Sequence, residues 1–361
     1  KLEEQAAQAQ VIDVDHGAKT LKMGVIEVPA FYLDFRAKMM GEEEYRSTTR
    51  DVRKLIGELK AKNVDGLVID LRDNGGGSLQ EATELTGLFI DEGPVVQIRS
   101  TGGALEIAED QDAGIAWDGP LVVLVNRFSA SASEIFAGAI QDYGRGLVVG
   151  TTTYGKGTVQ NLFDLNRHFN NDLELGQLKM TIGKFYRVTG SSTQHRGVVP
   201  DITLPSAIDP EEFGESAQNT ALPWDEIRPA RKIEEVHVHA RDVLPELQAE
   251  ISKRQAGDEL FQLYLDDVDE TLELRNRTTV SLNLEKRRAE RETEDRESLA
   301  RINQRRAALG MEPVETLEVA AESEEEEYDL LLHEAARILA DYLAELTPDD
   351  SAERLAANSS P

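Results

Sequence analysis

Apolar and β-branched residues recur over the first two hundred positions as short runs, separated by segments with helical spacing. The runs that predict strands are residues 21–31, 66–71, 95–98, 121–125 and 147–149. Between them, residues 48–62 and 79–90 place apolar side chains three and four positions apart, which predicts amphipathic helices. The run 121–125 is apolar throughout and is typical of a strand covered on both faces. This alternation predicts an α/β domain.

The pattern changes after about residue 205, where long charged segments replace the Gly-rich, β-branched ones. Residues 285–309 and 328–346 are predicted helices, and residues 322–327 are a predicted acidic loop. We therefore predict a boundary near Ile208, with a core over residues 1–208 and a mostly helical domain over residues 209–361. Residues 219–229 are interpreted as a docking or linker segment.

Charge and composition narrow the classes of function. The 361 residues include 39 Lys and Arg against 68 Asp and Glu, so the formal net charge is −29. Such a chain repels a phosphate backbone, which disfavours nucleic acid as a ligand. The chain has no Cys, which excludes disulfides, zinc–thiolate sites and thiol nucleophiles. No apolar run approaches the roughly 20 residues of a membrane-spanning helix.

Three serines follow the buried strand, at positions 129, 131 and 133, before a helical pattern over residues 135–143. At such a junction, free backbone N–H groups point outward and the helix dipole is positive. This setting suits a nucleophile whose attack creates an oxyanion. Helix capping alone would also explain the serines. The small residues around Ser131 favour the nucleophile, because they let a substrate backbone approach.

A serine nucleophile requires a base, and Lys156 is the candidate nearest in sequence. It lies between Gly155 and Gly157, which would allow backbone to pack closely over it. A lysine acts as a general base only if burial lowers its pKa towards neutrality. The alternative is a histidine, and the sequence leaves that alternative open. The histidines are His16, His168, His195, His237, His239 and His333.

The same segment contains most of a phosphate-binding loop. Residues 150–156 match the first seven positions of G-x-x-x-x-G-K-[ST]. The eighth position is Gly157, which lacks the hydroxyl that binds Mg²⁺. Residues 158–165 also read as a strand, whereas a phosphate loop opens a helix. Nucleotide binding therefore ranks below a serine nucleophile with a lysine base.

A glycine-rich turn follows the predicted strand 66–71. Residues 70–77 read D-L-R-D-N-G-G-G, and glycine N–H groups can approach a ligand closely. This segment is either an ordinary turn before the next helix or part of an oxyanion hole. In the second case one of its N–H groups acts together with that of Ala132.

Together these segments resemble the carboxy-terminal processing peptidases, peptidase family S41, and most closely its tail-specific group from Gram-negative bacteria. The resemblance rests on LRDNGGG at 71–77, NRFSASASEIFAGAIQDYGR at 126–145, GKGTVQ at 155–160, KFYRVTGSSTQHRGVVPDI at 184–202 and NTALPWDEI at 219–227. It implies a crotonase/ClpP-like (ββα) α/β protease core followed by a mostly helical C-terminal domain.

The resemblance also implies the roles of individual residues. Ser131 matches the nucleophile and Lys156 matches its base. Gln160 matches the residue that orients the lysine, four positions along a strand and hence on the same face. Gly77 and Ala132 match the oxyanion donors. Gly76, Glu134, Asp142 and Thr153 match positions that support the site.

Substrates, partners and location are implied in the same way. The substrates would be periplasmic proteins with apolar, unstructured C-terminal tails, and a tetratricopeptide lipoprotein would serve as an adaptor. No metal or organic cofactor is implied, and the chain would be periplasmic, with peripheral membrane association allowed. Members of this group carry a PDZ domain before the strand that begins near Leu21. Residues 1–20 show no trace of one, so we expect the chain to be a fragment.

Two other functions remain open at this point. A crotonase-type acyl-CoA enzyme would share the fold and the oxyanion hole but would use Glu134 as its acid or base. A non-catalytic assembly module would instead bind a partner through the acidic helical tail. The first predicts CoA binding without covalent labelling of Ser131, and the second predicts no chemistry.

Overall fold

The computed structural model describes residues 6–42, 44–167, 174–230, 243–321 and 328–346. The strands are β1 (Gln8–His16), β2 (Lys19–Glu27), β3 (Gly66–Asp70), β4 (Gly93–Ser100), β5 (Leu105–Asp110), β6 (Leu121–Val125), β7 (Leu147–Gly150), β8 (Thr158–Asp164), β9 (Gln177–Tyr186) and β10 (Ile202–Thr203). The helices are α1 (Phe35–Met40), α2 (Thr48–Ala61), α3 (Leu79–Thr86), α4 (Ala132–Asp142), α5 (Leu244–Ala256), α6 (Glu259–Asn276), α7 (Leu284–Ala308), α8 (Leu317–Ala321) and α9 (Leu330–Glu345).

The larger sheet brings three loops to one edge. Its strand order is β1-β2-β3-β6-β7-β10, parallel from β2 to β10, with β1 antiparallel to β2. The strand ends are in register, with Asp70 opposite Leu124 and Val125 opposite Gly150. Because the carboxyl ends of parallel strands meet at one edge, the loops after β3, β6 and β7 converge there.

The smaller sheet is antiparallel, with the strand order β5-β4-β9-β8. Its edge strand β8 begins at Thr158, directly after the loop that follows β7. The two sheets are therefore joined through the loop that contains Lys156.

The core lies between the larger sheet and helices α2, α3 and α4. Strands β3 and β6 are buried along their whole length, as expected for strands covered on both faces. Helix α2 buries one face, including Val52 and Ile56, because its apolar residues recur at helical spacing. Phe89 and Phe136 meet edge to face, with their ring centroids 5.6 Å apart. Helix α4, and with it the preceding serine, is thereby fixed against the core.

The structure confirms the α/β core followed by a mostly helical region. The predicted strand 21–31 is observed as β2, which ends at Glu27, and the predicted helix 79–90 ends at Thr86. The sequence pattern does not predict strands β1, β5, β9 and β10. Strand β5 has no fully buried residue and contains three acidic ones, so it lacks the apolar signal of a core strand. The predicted loop 322–327 lies outside the described residues.

The described residues form two compact units that do not follow sequence order. One comprises described parts of residues 1–204, 208–247 and 334–361, and the other comprises 205–207 with described parts of 248–333. Within the second unit, the Arg301 side chain of α7 pairs with Asp267 and Glu270 of α6. The domain boundary at Ile208 stays a prediction. In the described parts of the chain, no helix is both long enough and apolar enough to cross a bilayer.

Candidate active site

Ser131 lies directly before α4, at the carboxyl edge of the larger sheet. Its backbone has φ 59° and ψ −108°, a conformation that non-glycine residues seldom adopt. The residue is half-buried, whereas Ser129 and Ser133 are fully buried. The Ser129 hydroxyl donates to the carbonyl of Leu71 and the Ser133 hydroxyl to that of Asn74, each at 2.8 Å. Of the three serines, Ser131 is the one that a ligand can reach.

The glycine-rich turn packs directly against this serine. A Cβ atom at Gly76 would lie 2.7 Å from the Ala130 carbonyl oxygen and 2.9 Å from the Ser131 Cβ. Gly76 also has φ 101°, which favours glycine. The supporting role predicted for Gly76 therefore has a steric basis, because no other residue fits at this approach.

Asn74 holds the turn and the serine segment together. Its side chain accepts from the Gly76 N–H at 2.9 Å and donates to the Val28 carbonyl at 2.6 Å. The backbone carbonyl of Asn74 accepts from the Ala130 N–H at 2.9 Å. Asn74 is fully buried, and the sequence reasoning did not identify it. The available signal was an Asn immediately before a glycine run, which is typical of a side chain that bonds backbone two residues on.

Gly77 and Ala132 provide N–H groups of the kind an oxyanion requires. Phe31 holds the turn from the other side, by donating to the Gly76 carbonyl and accepting from the Ser78 N–H. A Cβ at Gly77 would lie 2.2 Å from the Phe31 oxygen, so this position requires glycine. Within the described residues we find no hydrogen bond donated by the N–H of Gly77 or Ala132. Both donors are thus available to a ligand oxygen.

Glu134 links the serine segment to the lysine loop. Its Oε2 accepts from the backbone N–H of Ser131 at 2.8 Å and from that of Lys156 at 2.9 Å. Its Oε1 accepts from the Gly155 N–H at 2.7 Å and from the Thr153 hydroxyl at 2.6 Å. Because one oxygen binds both, the Ser131 and Lys156 backbone nitrogens are held within about 6 Å of each other. Burial raises the pKa of Glu134 to about 7, although all four donors favour the carboxylate.

These contacts give the positions of Glu134 and Thr153, two of the predicted supporting residues. Thr153 is fully buried, and its hydroxyl also accepts from the Val198 N–H at 2.7 Å.

The same contacts bear on the phosphate-binding loop considered from the sequence. Because the N–H groups of Gly155 and Lys156 bind Glu134, neither is free to bind a phosphate. The local geometry therefore agrees with ranking nucleotide binding low.

Lys156 is half-buried in a pocket of about 460 Å³. The pocket is lined by Ala130, Tyr154, Lys156, Thr158, Gln160, Thr181, Glu215, Gln218, Thr220, Ala221 and Leu222. Burial lowers the pKa of Lys156 below its usual value, and the charge of Lys179 lowers it further. The carboxylates of Glu215 and Glu134 act in the opposite direction. The net direction is the one that a general base requires.

Gln160 lines the same pocket as Lys156, but the two side chains are not hydrogen-bonded to each other in the described structure. The expectation of a shared face assumed a regular strand from residue 156 to residue 160. Instead, β8 begins at Thr158, and its pairing shifts register between Val159 and Gln160. Such a bulge interrupts the two-residue alternation. The orienting role of Gln160 stays a prediction.

The described histidines do not partner Ser131. His16 lies 3.4 Å from the Asp341 carboxylate, and the His333 ring stacks on Tyr328. His195 donates its backbone N–H to the Gly155 carbonyl at 2.8 Å, and its ring forms no hydrogen bond with Ser131. The other three histidines, His168, His237 and His239, lie outside the described residues.

Asp142 lies at the far end of α4 and is buried. Its carboxylate accepts from the Arg187 Nε at 3.1 Å, and Arg187 also donates to the Gln141 side chain at 2.9 Å. Asp142 therefore anchors α4 and does not lie beside Ser131. This ion pair fixes the end of the helix, and the supporting role of Asp142 in activity stays a prediction.

Two further buried residues shape the lysine loop and were not identified from the sequence. Arg127 donates to the carbonyls of Thr153, Phe213 and Pro210. The Gln194 side chain accepts from the Gly157 N–H at 2.8 Å. These contacts reach backbone groups far along the chain, which residue types do not indicate.

We expect Glu134→Gln to weaken both folding and activity. The amide nitrogen would face N–H or O–H donors at one of the two oxygen positions, so buried donors would lose their acceptor. The free energy of unfolding should fall by about 2–4 kcal/mol, and kcat/KM for peptide hydrolysis should fall about tenfold or more. Urea denaturation and peptide hydrolysis would measure these effects.

The matched control is Glu58→Gln, whose side chain is 52% exposed on α2. This exchange should change stability by no more than about 0.5 kcal/mol. If Glu134→Gln behaved like Glu58→Gln, the bridging role of Glu134 would be refuted.

Two known family models match parts of this chain. The model described as "Peptidase family S41" matches residues 22–204, and the model described as "C-terminal domain of tail specific protease" matches residues 208–344. The chain is 39% identical over 323 residues to the tail-specific protease of Haemophilus influenzae, covering 89% of this chain and 44% of that protein. It is 34% identical over 197 residues to the chloroplastic carboxyl-terminal-processing peptidase 2 of Arabidopsis thaliana, covering 54% of this chain and 34% of that protein.

Among solved structures, the photosystem II D1 C-terminal processing protease matches with a TM-score of 0.45 and 30% identity, covering 57% of this chain and 48% of that one. The chain spans less than half the length of each of these relatives.

Proposed function

We propose that this chain, which belongs to peptidase family S41, carries the catalytic centre of a serine endopeptidase with a Ser131–Lys156 dyad. The proposal rests above all on Glu134, because its Oε2 binds the backbone N–H of both dyad residues. A carboxylate that binds both segments fixes a nucleophile and a base relative to each other. Such fixed geometry is what general-base activation of a serine requires.

The reaction would proceed through an acyl-enzyme. Neutral Lys156 Nζ takes the proton as Ser131 Oγ attacks the peptide carbonyl, and the carbonyl oxygen becomes an oxyanion. The N–H groups of Gly77 and Ala132 stabilise that charge. The lysine then donates its proton to the leaving amine, and water hydrolyses the ester.

The buried position of Glu134 argues against the acyl-CoA alternative. Both of its oxygens are engaged by protein donors, and the residue is fully buried. A carboxylate in this position has no free lone pair directed at a substrate. It is suited to holding the site together and not to exchanging protons with a thioester.

The substrates would be periplasmic proteins with apolar, unstructured C-terminal tails, and the chain would act in the periplasm. Support comes from the match of residues 208–344 to a C-terminal domain of tail specific protease. The pocket beside Lys156 also has apolar side chains in its wall, those of Ala221 and Leu222. A tetratricopeptide lipoprotein adaptor would deliver these substrates.

A pair of disordered reporter proteins tests this proposal. One ends in five apolar residues and the other in five acidic residues, and Ser131→Ala serves as the blank. We expect the apolar-tailed reporter to be cleaved about tenfold faster, because Ala221 and Leu222 can contact apolar side chains whereas Glu215 repels an acidic tail. Electrophoresis over time measures both rates. Equal rates would refute tail selection, and cleavage by the blank would refute the nucleophile.

A further inference from the structure

The wall of the lysine pocket comes partly from residues that follow the S41-matched region. Glu215 and Leu222 both lie after residue 204, where the S41 match ends. Leu222 also lies within residues 219–229, which the sequence suggested were a docking or linker segment. They line the pocket together with Lys156 and Gln160. Residues of this segment therefore form part of the wall of the pocket that contains Lys156.

Several contacts fasten this segment to the lysine loop. The Glu215 N–H donates to the Tyr154 carbonyl at 3.0 Å, and the Arg127 Nε donates to the Phe213 carbonyl at 2.6 Å. A Cβ at Gly214 would lie 2.1 Å from the Arg127 guanidinium, so the approach is close. Asp225, further along, accepts from the Lys184 ammonium at 2.8 Å. The position of Glu215 is thus fixed by backbone and side-chain contacts on both sides of it.

The Glu215 side chain is also part of the support of the lysine loop. Its Oε1 accepts from the Gln194 side-chain N–H at 3.0 Å, and the Gln194 side-chain oxygen Oε1 accepts from the Gly157 N–H at 2.8 Å. Gly157 is the residue after Lys156. A chain of two hydrogen bonds therefore runs from the Glu215 carboxylate to the backbone beside Lys156.

We propose that Glu215 is a positioning residue of the lysine pocket: it steadies the Lys156 loop through Gln194, and its carboxylate, which lines that pocket, stabilises the Lys156 ammonium. This inference deepens the proposed function and rests on it. Three charged groups act on the Lys156 ammonium: Lys179 on β9, Glu134 on α4, and Glu215 itself. Tyr154 contributes a titratable hydroxyl to the same pocket.

Glu215 and Lys179 affect the protonation of Lys156 in opposite directions, so replacing each in turn separates the two effects. A carboxylate near the ammonium favours the charged form, and a second ammonium disfavours it. Removing the Glu215 charge should therefore leave more Lys156 neutral at a given pH. Removing the Lys179 charge should leave less.

The test compares pH profiles of kcat/KM for Glu215→Gln, Lys179→Gln and Glu211→Gln. The Gln side chain at 215 keeps an oxygen that can accept from Gln194, so the exchange removes charge and retains the hydrogen bond. On the acid limb we expect Glu215→Gln to be about two- to fivefold more active than wild type, and Lys179→Gln less active by a similar factor. At the alkaline plateau, Glu215→Gln should stay within about twofold of wild type. Glu211, exposed on the same segment, provides the matched control, with an unchanged profile.

A second readout does not depend on proteolysis. In the Ser131→Ala background, the rate at which an amine-selective acylating reagent modifies Lys156 is measured against pH by mass spectrometry. In Glu215→Gln, the reactivity of Lys156 should begin to rise at a lower pH than in the protein that keeps Glu215. If labelling shifts but no variant shows Ser131-dependent cleavage, the proposed function fails and the electrostatic role of Glu215 stands. If Glu215→Gln and Glu211→Gln give the same profile in both assays, the inference is overturned.

Discussion

Replacing Ser131 by Ala is expected to lower kcat/KM for peptide hydrolysis by about 10⁴–10⁶-fold, since removing a nucleophile removes the covalent route altogether. The backbone conformation should survive, because Ala has the same Cβ as Ser at φ 59°. The thermal unfolding midpoint should therefore stay close to that of the wild type. Peptide hydrolysis and differential scanning calorimetry on the same preparation would check both halves of this prediction.

The two neighbouring serines provide matched controls. Ser129→Ala and Ser133→Ala each remove a buried hydroxyl that donates to a backbone carbonyl. Each should cost about 1–3 kcal/mol of stability and leave most of the activity. If either control lost activity to the same degree as Ser131→Ala, without unfolding, the assignment of the nucleophile would be wrong.

Replacing Lys156 should have the second-largest effect. Lys156→Ala is expected to lower kcat/KM by about 10²–10⁴-fold, the usual contribution of a positioned general base. Lys156→Arg should be equally inactive, because a guanidinium stays protonated and cannot accept a proton. Lys54→Arg, at a side chain 78% exposed on α2, should retain full activity.

The pH dependence of the wild type follows from the same group. Lys156 must be neutral to act, so kcat/KM should rise with pH and level off once the amine is deprotonated. Because burial lowers the pKa of Lys156 from the ordinary value of 10.5, the plateau should be reached at lower pH than for an exposed lysine. A rate that levels off only around or above that ordinary value would contradict the assignment of the base.

The elements that form the core could be predicted because their signals are local. Strands β3 and β6 are continuous apolar runs, and α2 repeats apolar residues at helical spacing. Strand β1 could not be predicted from the apolar pattern, because it is an edge strand in which only Ile12 and Val14 are buried. Its pairing with β2 supplies the structure, and pairing is not visible in composition.

The candidate site also combines features with a local sequence signal and features that depend on long-range contacts. The positions of Ser131 and Lys156 at junctions could be inferred from flanking small residues and from the family resemblance. Glu134 bonds Ser131 locally, three residues away, but the contacts that bring Lys156 beside Ser131 are long-range. Glu134 bonds donors 19 to 22 residues away, and the Asn74 carbonyl accepts from Ser133 across 59 residues. Most of these partners are backbone groups, which every residue possesses, so residue type does not reveal them.

The wall of the Lys156 pocket is a further feature that the sequence did not predict. The change in composition near residues 205–229 led to the interpretation of residues 219–229 as a docking or linker segment. In the structure, Leu222 faces the same pocket as Lys156, and the Trp224 indole donates to the Ser192 carbonyl at 2.9 Å. Residues of a segment with no regular secondary structure thus help to form the pocket wall, since backbone and side-chain hydrogen bonds hold this segment in place.

Covalent labelling tests the central claim, that Ser131 is a nucleophile activated by Lys156, most directly. The protein is incubated with a fluorophosphonate, digested and analysed by mass spectrometry for the modified residue. The account predicts one phosphonyl group on Ser131 in the wild type and in Ser129→Ala, and little or none in Lys156→Ala. An adduct on a different residue, or equal labelling of Ser131 in Lys156→Ala, would contradict it.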